Sequence, residues 1–157
     1  MRKTIAIISI AAHVLLSAAS VIADEKRWGT LTDEALDAYQ FGKHEEAINL
    51  GRQALGEGER TFGPDHLNVA GSLDALAAYL TSVDDYAEAE SLYRRALAIL
   101  EKSLPSDDHY LAIYMDFLSG FYDEIGKTDE ANKLRARAKA IRLIKKPEEE
   151  KKAEDKQ

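Results

Sequence analysis

Asp65-His66 and Asp107-Asp108-His109 are the residues best suited to chemistry, because imidazole and carboxylate groups together make metal ligands. Both clusters follow a break, Phe62-Gly63-Pro64 in one case and Leu104-Pro105-Ser106 in the other. In that place an aspartate caps a helix and a histidine begins it. This structural use accounts for both clusters, so no metal and no cofactor is assigned. Glu45-Glu46 and Asp84-Asp85 stand at helix starts, where acids complement the dipole, and not across a cleft as general acid and base would. His44 follows Lys43 in a turn and is expected to be solvated. The chain has no Gly-rich phosphate loop, no Gly-x-Ser-x-Gly and no His-Glu-x-x-His. Cysteine is absent, which removes a thiol nucleophile, Cys-ligated zinc and any disulfide. No catalytic residue is assigned, and the chain is expected not to be an enzyme.

The elements that hold these clusters repeat. In Tyr86 to Leu97, Ala89, Leu92, Tyr93 and Ala96 form one apolar stripe at i, i+3, i+4 and i+7, with Glu88, Glu90, Arg94 and Arg95 on other faces. Moving back 42 residues meets Ala47, Leu50, Ala54 and Leu55, and moving forward 42 meets Ala131, Leu134 and Ala138. The upstream halves keep the same offset: Leu31, Leu73 and Met115, then Ala35, Ala77 and Ser119. Each unit is therefore two helices, and its small residues let the two backbones approach closely as an antiparallel hairpin. Gly42 and Gly126 suit the left-handed residue that ends a helix, and Asp84-Asp85 does the corresponding job in the second unit by capping the next helix.

Tyr-x-Glu-Ala-Glu-x-Leu-Tyr-x-Arg-Ala-Leu-x-Ile at Tyr86 to Ile99, with Leu73, Leu76, Ala77 and Leu80 before it and the Phe62-Gly63-Pro64-Asp65-His66 connector, resembles the tetratricopeptide repeats. The resemblance is to the long 42-residue type of kinesin light chains and nephrocystin-3-like proteins, and it covers about residues 28 to 144. It implies an all-α solenoid of three helix-turn-helix repeats, an α-α superhelix with a concave wall lined by the first helix of each unit. The repeats are expected at about 28–69, 70–111 and 112–145, within a domain of 25–145. Glu34, Gly51, Arg135 and Lys139 depart from the pattern in the outer units, where a solenoid end has no neighbour to cover it.

Met1 to Ala23 has Arg2 and Lys3, an apolar run from Ile5 to Ala19, and Val21-Ile22-Ala23 before Asp24-Glu25. That is the pattern of a secretory signal peptide over 1–23, cut after Ala23. The chain is then exported, to the periplasm or outside, without stable membrane insertion; an uncleaved anchor is the competing reading. The formal charge of −7 becomes −9 once Arg2 and Lys3 leave with the leader. An acidic balance with no basic cluster argues against nucleic acid, whose binding needs Lys and Arg at the phosphates. Residues 146–157 are Glu, Lys and Asp with almost nothing apolar, so a charged disordered tail is expected and Pro147 is expected to end the last helix.

Recognition is the function that remains. The family's inward positions fall here on Thr32, Asp74 and Asp116, on Leu36, Ala78 and Gly120, and on Tyr39, Thr81 and Asp123. The Lys and Asn set of a carboxylate clamp is missing. With Asp74, Asp116 and Asp123 inward, the wall favours a protein or peptide that is basic or neutral. Thr32, Tyr39, Asp74, Thr81, Asp116 and Asp123 are the candidate partner-binding residues. The alternatives are a module that self-associates into a homo-oligomer through its ends, and an exported enzyme subunit with an unrecognised site. The aromatic residues Tyr39, Tyr79, Tyr93, Tyr110, Tyr114, Phe117, Phe121 and Tyr122 are expected mostly as core and inter-repeat filling.

Overall fold

Between the Gly and Pro breaks the chain is rich in Ala, Leu, Glu and Arg, good helix formers, and its apolar stripes give each helix one face to bury. The computed structural model describes residues 22–154, with side chains placed over 22–144. The described residues contain six helices and no strand: α1 over 22–40, α2 His44–Phe62, α3 Leu67–Thr81, α4 Tyr86–Ser103, α5 His109–Glu124 and α6 Thr128–Glu154. They pair as α1/α2, α3/α4 and α5/α6, an all-α stack of three helix-turn-helix units. Apart from Ile22 and Ala23, the expected leader lies outside the described residues, as do 155–157. Pro147 does not end α6, whose backbone stays helical to Glu154. A proline inside a helix forfeits one hydrogen bond, and the Lys and Glu residues on both sides of it are straight-chain formers that favour continuation.

The small residues carry the packing. Ala47, Ala89 and Ala131 have no exposed surface, and Ala77, Ala96 and Ala138 are equally covered. Full burial of so small a side chain is what a close helix crossing requires. Leu73, Leu76, Met115 and Leu118 fill the space left alongside. One core runs through the second and third units, and a smaller cluster of Ala35, Ala38, Ala47 and Tyr79 joins the first unit to the second.

The turns keep the register while changing residues. Gly42, Asp84 and Gly126, each 42 apart, all have positive φ, at 73°, 62° and 77°. Asp84 is tolerated there because its short polar side chain finds a local partner, accepting a hydrogen bond of 2.7 Å from the Tyr86 hydroxyl. Asp85 caps α4 by accepting from the Glu88 amide, and Asp108 caps α5 by accepting from the Tyr110 amide at 2.8 Å. The expected cap at Asp65 is corrected: His66 occupies that place, and its Nδ1 accepts from the Asn68 amide at 3.1 Å. Helix α3 starts one residue later than expected, so the cap register shared with Asp108 falls on the histidine. Asp65 is thereby free to pair with Lys102 of α4.

Gly51 is not an end feature. It is buried, and a Cβ built there would lie 3.2 Å from Cδ2 of Tyr79 and 3.3 Å from Cδ1 of Leu76. Tyr79 fills that space, with Tyr39 on its other side at a ring separation of 5.0 Å. At the next junction the same volume comes from the opposite helix. Tyr93 stands where Gly51 stood, Thr81 where Tyr39 stood, and Phe121 takes the place of Tyr79, its ring 5.0 Å from Tyr93 and edge-on. Burial pushes the Tyr93 hydroxyl up to about 12, with Thr81 partly opposing the shift. At the other end of the first unit, Trp28 lies against bare Gly58 and edge-on to Phe62, and its indole donates to Ser72 Oγ at 2.9 Å.

On the outer side successive second helices are joined by ion pairs in one register. Glu59 meets Arg95, and 42 residues on Glu101 meets Arg137, both at 2.5 Å. Being exposed, each is worth at most about 1 kcal/mol, so they set alignment more than stability.

Candidate functional site

Helices α1, α3 and α5 each present one face away from the second helices, and what lies on that face differs sharply from unit to unit. On α3 it is small: Gly71, Ala75 and Ala78. On α5 the same register holds Ile113, Phe117 and Gly120. Tyr110, Ile113 and Phe117 recur at i, i+3 and i+7, and they remain 51%, 49% and 48% exposed. Tyr110 and Phe117 thus depart from the expected filling role, whereas Tyr114 between them is buried. Phe117 still leans on Tyr93, with ring centroids 5.4 Å apart, so the stripe is anchored from behind. The sequence signal was available in the register, because Tyr110, Ile113 and Phe117 replace Asn68, Gly71 and Ala75 of the preceding unit.

The six candidate residues divide by role. The Thr32 hydroxyl donates to the Trp28 carbonyl at 2.9 Å and that of Thr81 to the Ala77 carbonyl at 2.8 Å, so both are turned back onto their own helices. Tyr39 packs between Tyr79 and His44, where it serves the junction. Asp116 pairs with Arg142 and Asp123 with Arg135, each cation coming from α6. Asp74 is the exception. Among the described residues it has no ion-pair partner, and its Oδ1 is buried without a hydrogen bond. Burial raises the carboxyl above the usual range, and the Tyr114 hydroxyl facing it pulls in the other direction. That hydroxyl is itself buried and lacks a well-formed partner; burial, then the Asp74 charge, push it upward.

Asp74 and Tyr114 lie at the back of a cavity of about 330 Å³ between α3, the end of α4 and the start of α5. Leu67, Leu100, Leu104 and Tyr110 give it apolar sides. A second hollow of about 270 Å³ shares Asp74, Tyr110 and Tyr114 and extends to Ile113 and Phe117, so the two form one cleft. Sequence periodicity could not show this cleft, which exists only where α5 lies beside α3.

The polar clusters first considered for chemistry are built into the frame. Asp65 holds Lys102, His66 stacks on Phe62 and caps α3, and Asp108 caps α5. Among the described residues no three His, Asp or Glu side chains converge as a metal site would require. His44 is half-buried, not fully solvated as expected, with Nδ1 3.0 Å from Ser82 Oγ. The serine hydroxyl also donates to the Tyr79 carbonyl at 2.6 Å, so the imidazole meets an oxygen whose proton is already committed. This contact ties the start of α2 to the end of α3 and is not a nucleophile with its base.

A family model described as tetratricopeptide repeat matches residues 30–102 and again 76–143. Among solved structures, BtubC (BKLC) from P. vanneervenii is 21% identical with a TM-score of 0.68, covering 74% of this chain and 46% of that one. Two structures from Podosopora anserina, ascribed to a kinesin light chain with nearly identical TPR-like repeats, are each 25% identical, with TM-scores of 0.65 and 0.64. Each covers 74% of this chain, which spans 55% and 56% of theirs. The chain thus spans about half the length of the structures it matches. No curated protein matches it.

Proposed function

Because the chain belongs to the tetratricopeptide-repeat family, whose members generally mediate protein–protein contacts and are generally not catalysts, we propose that it is a non-enzymatic adaptor. It holds a protein or peptide along the face of its first helices, the concave wall in this family. The observation that carries the reading is the half-exposed stripe of Tyr110, Ile113 and Phe117 along the cleft lined by Gly71, Asp74 and Tyr114. Folding leaves three large side chains about half exposed along one cleft, which is how a docking groove differs from a scattered exposed leucine. The net acidity of the chain favours a basic or neutral partner. Export, to the periplasm or beyond, rests on the leader pattern of Met1 to Ala23.

The test uses immobilised full chain exposed to a periplasmic extract. Proteins retained by the parent and by Ala98→Glu, a change on the exposed side of α4, should be lost with Ile113→Glu and Phe117→Glu, and helicity should be equal in all four. An unchanged set of retained proteins with the α5 variants would place the partner elsewhere.

A further inference from the structure

Asp74 and Asp116 occupy the same register place in successive units, yet their surroundings differ in one instructive way. Asp116 is met by Arg142 of α6. The residue 42 positions before Arg142 is Leu100, which lines the cavity in front of Asp74. The third unit therefore supplies a guanidinium to its own aspartate, while the second puts a leucine there and leaves an open cavity. What is missing beside Asp74 is a cation on an aliphatic stem.

We propose that the cavity between α3 and α5 receives one lysine or arginine side chain projecting from a partner polypeptide. The assignment deepens the adaptor reading and rests on it. The methylene stem would lie against Leu67, Leu100, Leu104 and the Tyr110 ring, as long basic side chains do when the charge has somewhere polar to go. The head would reach the Asp74 carboxylate, which lines the cavity without a cation of its own, while Oδ1 and the Tyr114 hydroxyl face each other, buried behind it. A volume of about 330 Å³ has room for one extended side chain and its attachment. The occupant is a polypeptide because the cleft continues past Tyr110 to Ile113 and Phe117, where apolar neighbours of the inserted residue would rest. Acidic side chains are excluded, since they would face Asp74 with a like charge in a partly dry site.

The experiment titrates the full chain with short, terminally blocked leucine/alanine peptides carrying lysine, norleucine or glutamate at the centre, and separately with butylamine. Side-chain NMR follows two sets of signals: Leu67, Leu100, Leu104 and Tyr110 in the cavity, and Ile113 and Phe117 on the stripe. The lysine peptide should bind about tenfold more tightly than the norleucine one, the worth of a charge-assisted hydrogen bond. Asp74→Asn, with helicity unchanged, should erase that gap, and Tyr114→Phe should narrow it. Equal affinities for lysine and norleucine, or a gap that survives Asp74→Asn, overturns the inference. If those peptides nevertheless move Ile113 and Phe117, the adaptor reading stands alone; if no peptide moves either set, both fall. Butylamine binding as tightly as the lysine peptide would make the cavity a small-amine site and overturn the polypeptide assignment.

Discussion

Gly51→Ala and Gly56→Ala place the same methyl group on the same helix and should have opposite consequences. Both residues lie inside α2 and both pay the glycine penalty, so alanine gains about 1 kcal/mol of helix propensity at either position. Gly56 is open, with nothing within 4 Å of an added Cβ, and Gly56→Ala should show the full gain. At Gly51 the Cβ would meet Tyr79 at 3.2 and 3.3 Å and Leu76 at 3.3 Å, tighter than ordinary contact. Neither neighbour can yield freely. Tyr79 is held by the Tyr39 ring and Leu76 is buried in the core. Overpacking of this kind costs about 1 to 3 kcal/mol, so Gly51→Ala should end about 0 to 2 kcal/mol below the parent. At about 4 °C for each kcal/mol, thermal unfolding followed by circular dichroism separates the two variants readily. In a Tyr79→Leu background two of the three close contacts disappear while Leu76 remains, and Gly51→Ala should recover part of the gain seen at Gly56. Equal stabilisation by both changes in the parent would refute the idea that the Tyr79 ring is seated on bare backbone.

Ala89→Leu should cost about 1 to 3 kcal/mol by overpacking a fully covered crossing, whereas exposed Ala87→Leu should be nearly neutral; equal melting temperatures would contradict the register. Asp74 has a raised folded carboxyl value, so in the window above the ordinary carboxylate value the unfolded chain ionises first and folded stability falls as pH rises. Asp74→Asn should therefore raise the melting temperature at neutral pH, and the gain should vanish by about pH 3, where the carboxyl is neutral in both states. An increase that is the same at both pH values would mean that its burial does not penalise the charge. Mass spectrometry of the exported protein should find a chain beginning at Asp24, with the Asp24–Arg60 pair retained; a full-length mass in the membrane fraction would indicate an anchor.

How much could be read before the structure follows from the range of each interaction. Ala47, Ala89 and Ala131 were legible because close helix crossings demand small residues at a fixed spacing, and periodicity carries that demand directly. Asp85 as a cap was legible because the cap and the amide it serves are three residues apart. The pairs Asp116–Arg142 and Asp123–Arg135 were not, although their acids were singled out, because they join residues 26 and 12 apart whose meeting depends on how α6 lies on α5. Trp28 was passed over for the same reason: its partner Ser72 is 44 residues away and two helices along. The misplaced cap at Asp65 came from a one-residue uncertainty in the helix start, enough to pass the task to His66.

The exchange of aromatic volume between the two junctions makes each unit a cassette. Gly51 and Tyr39 both belong to the first unit, and Tyr93 and Thr81 both belong to the second, so a unit brings its whole socket with it and asks only for a ring in the one that follows. The outer ion pairs obey the same rule, since the middle unit carries Arg95 toward its predecessor and Glu101 toward its successor. A tandem duplication of 70–111 would thus keep the ring socket and the outer ion pair at the new junction. Tyr93 and Thr81 of the first copy would seat Tyr79 of the second, and Glu101 of the first would reach its Arg95. The misfits are the Tyr79 hydroxyl, standing where Phe121 has none, Leu80 where Tyr122 meets Arg94, and Asp85 where Lys127 meets Glu90. Such a lengthened chain should keep its helicity per residue and place a second Asp74 one repeat from the first, facing Ser72 where the original faces Tyr114.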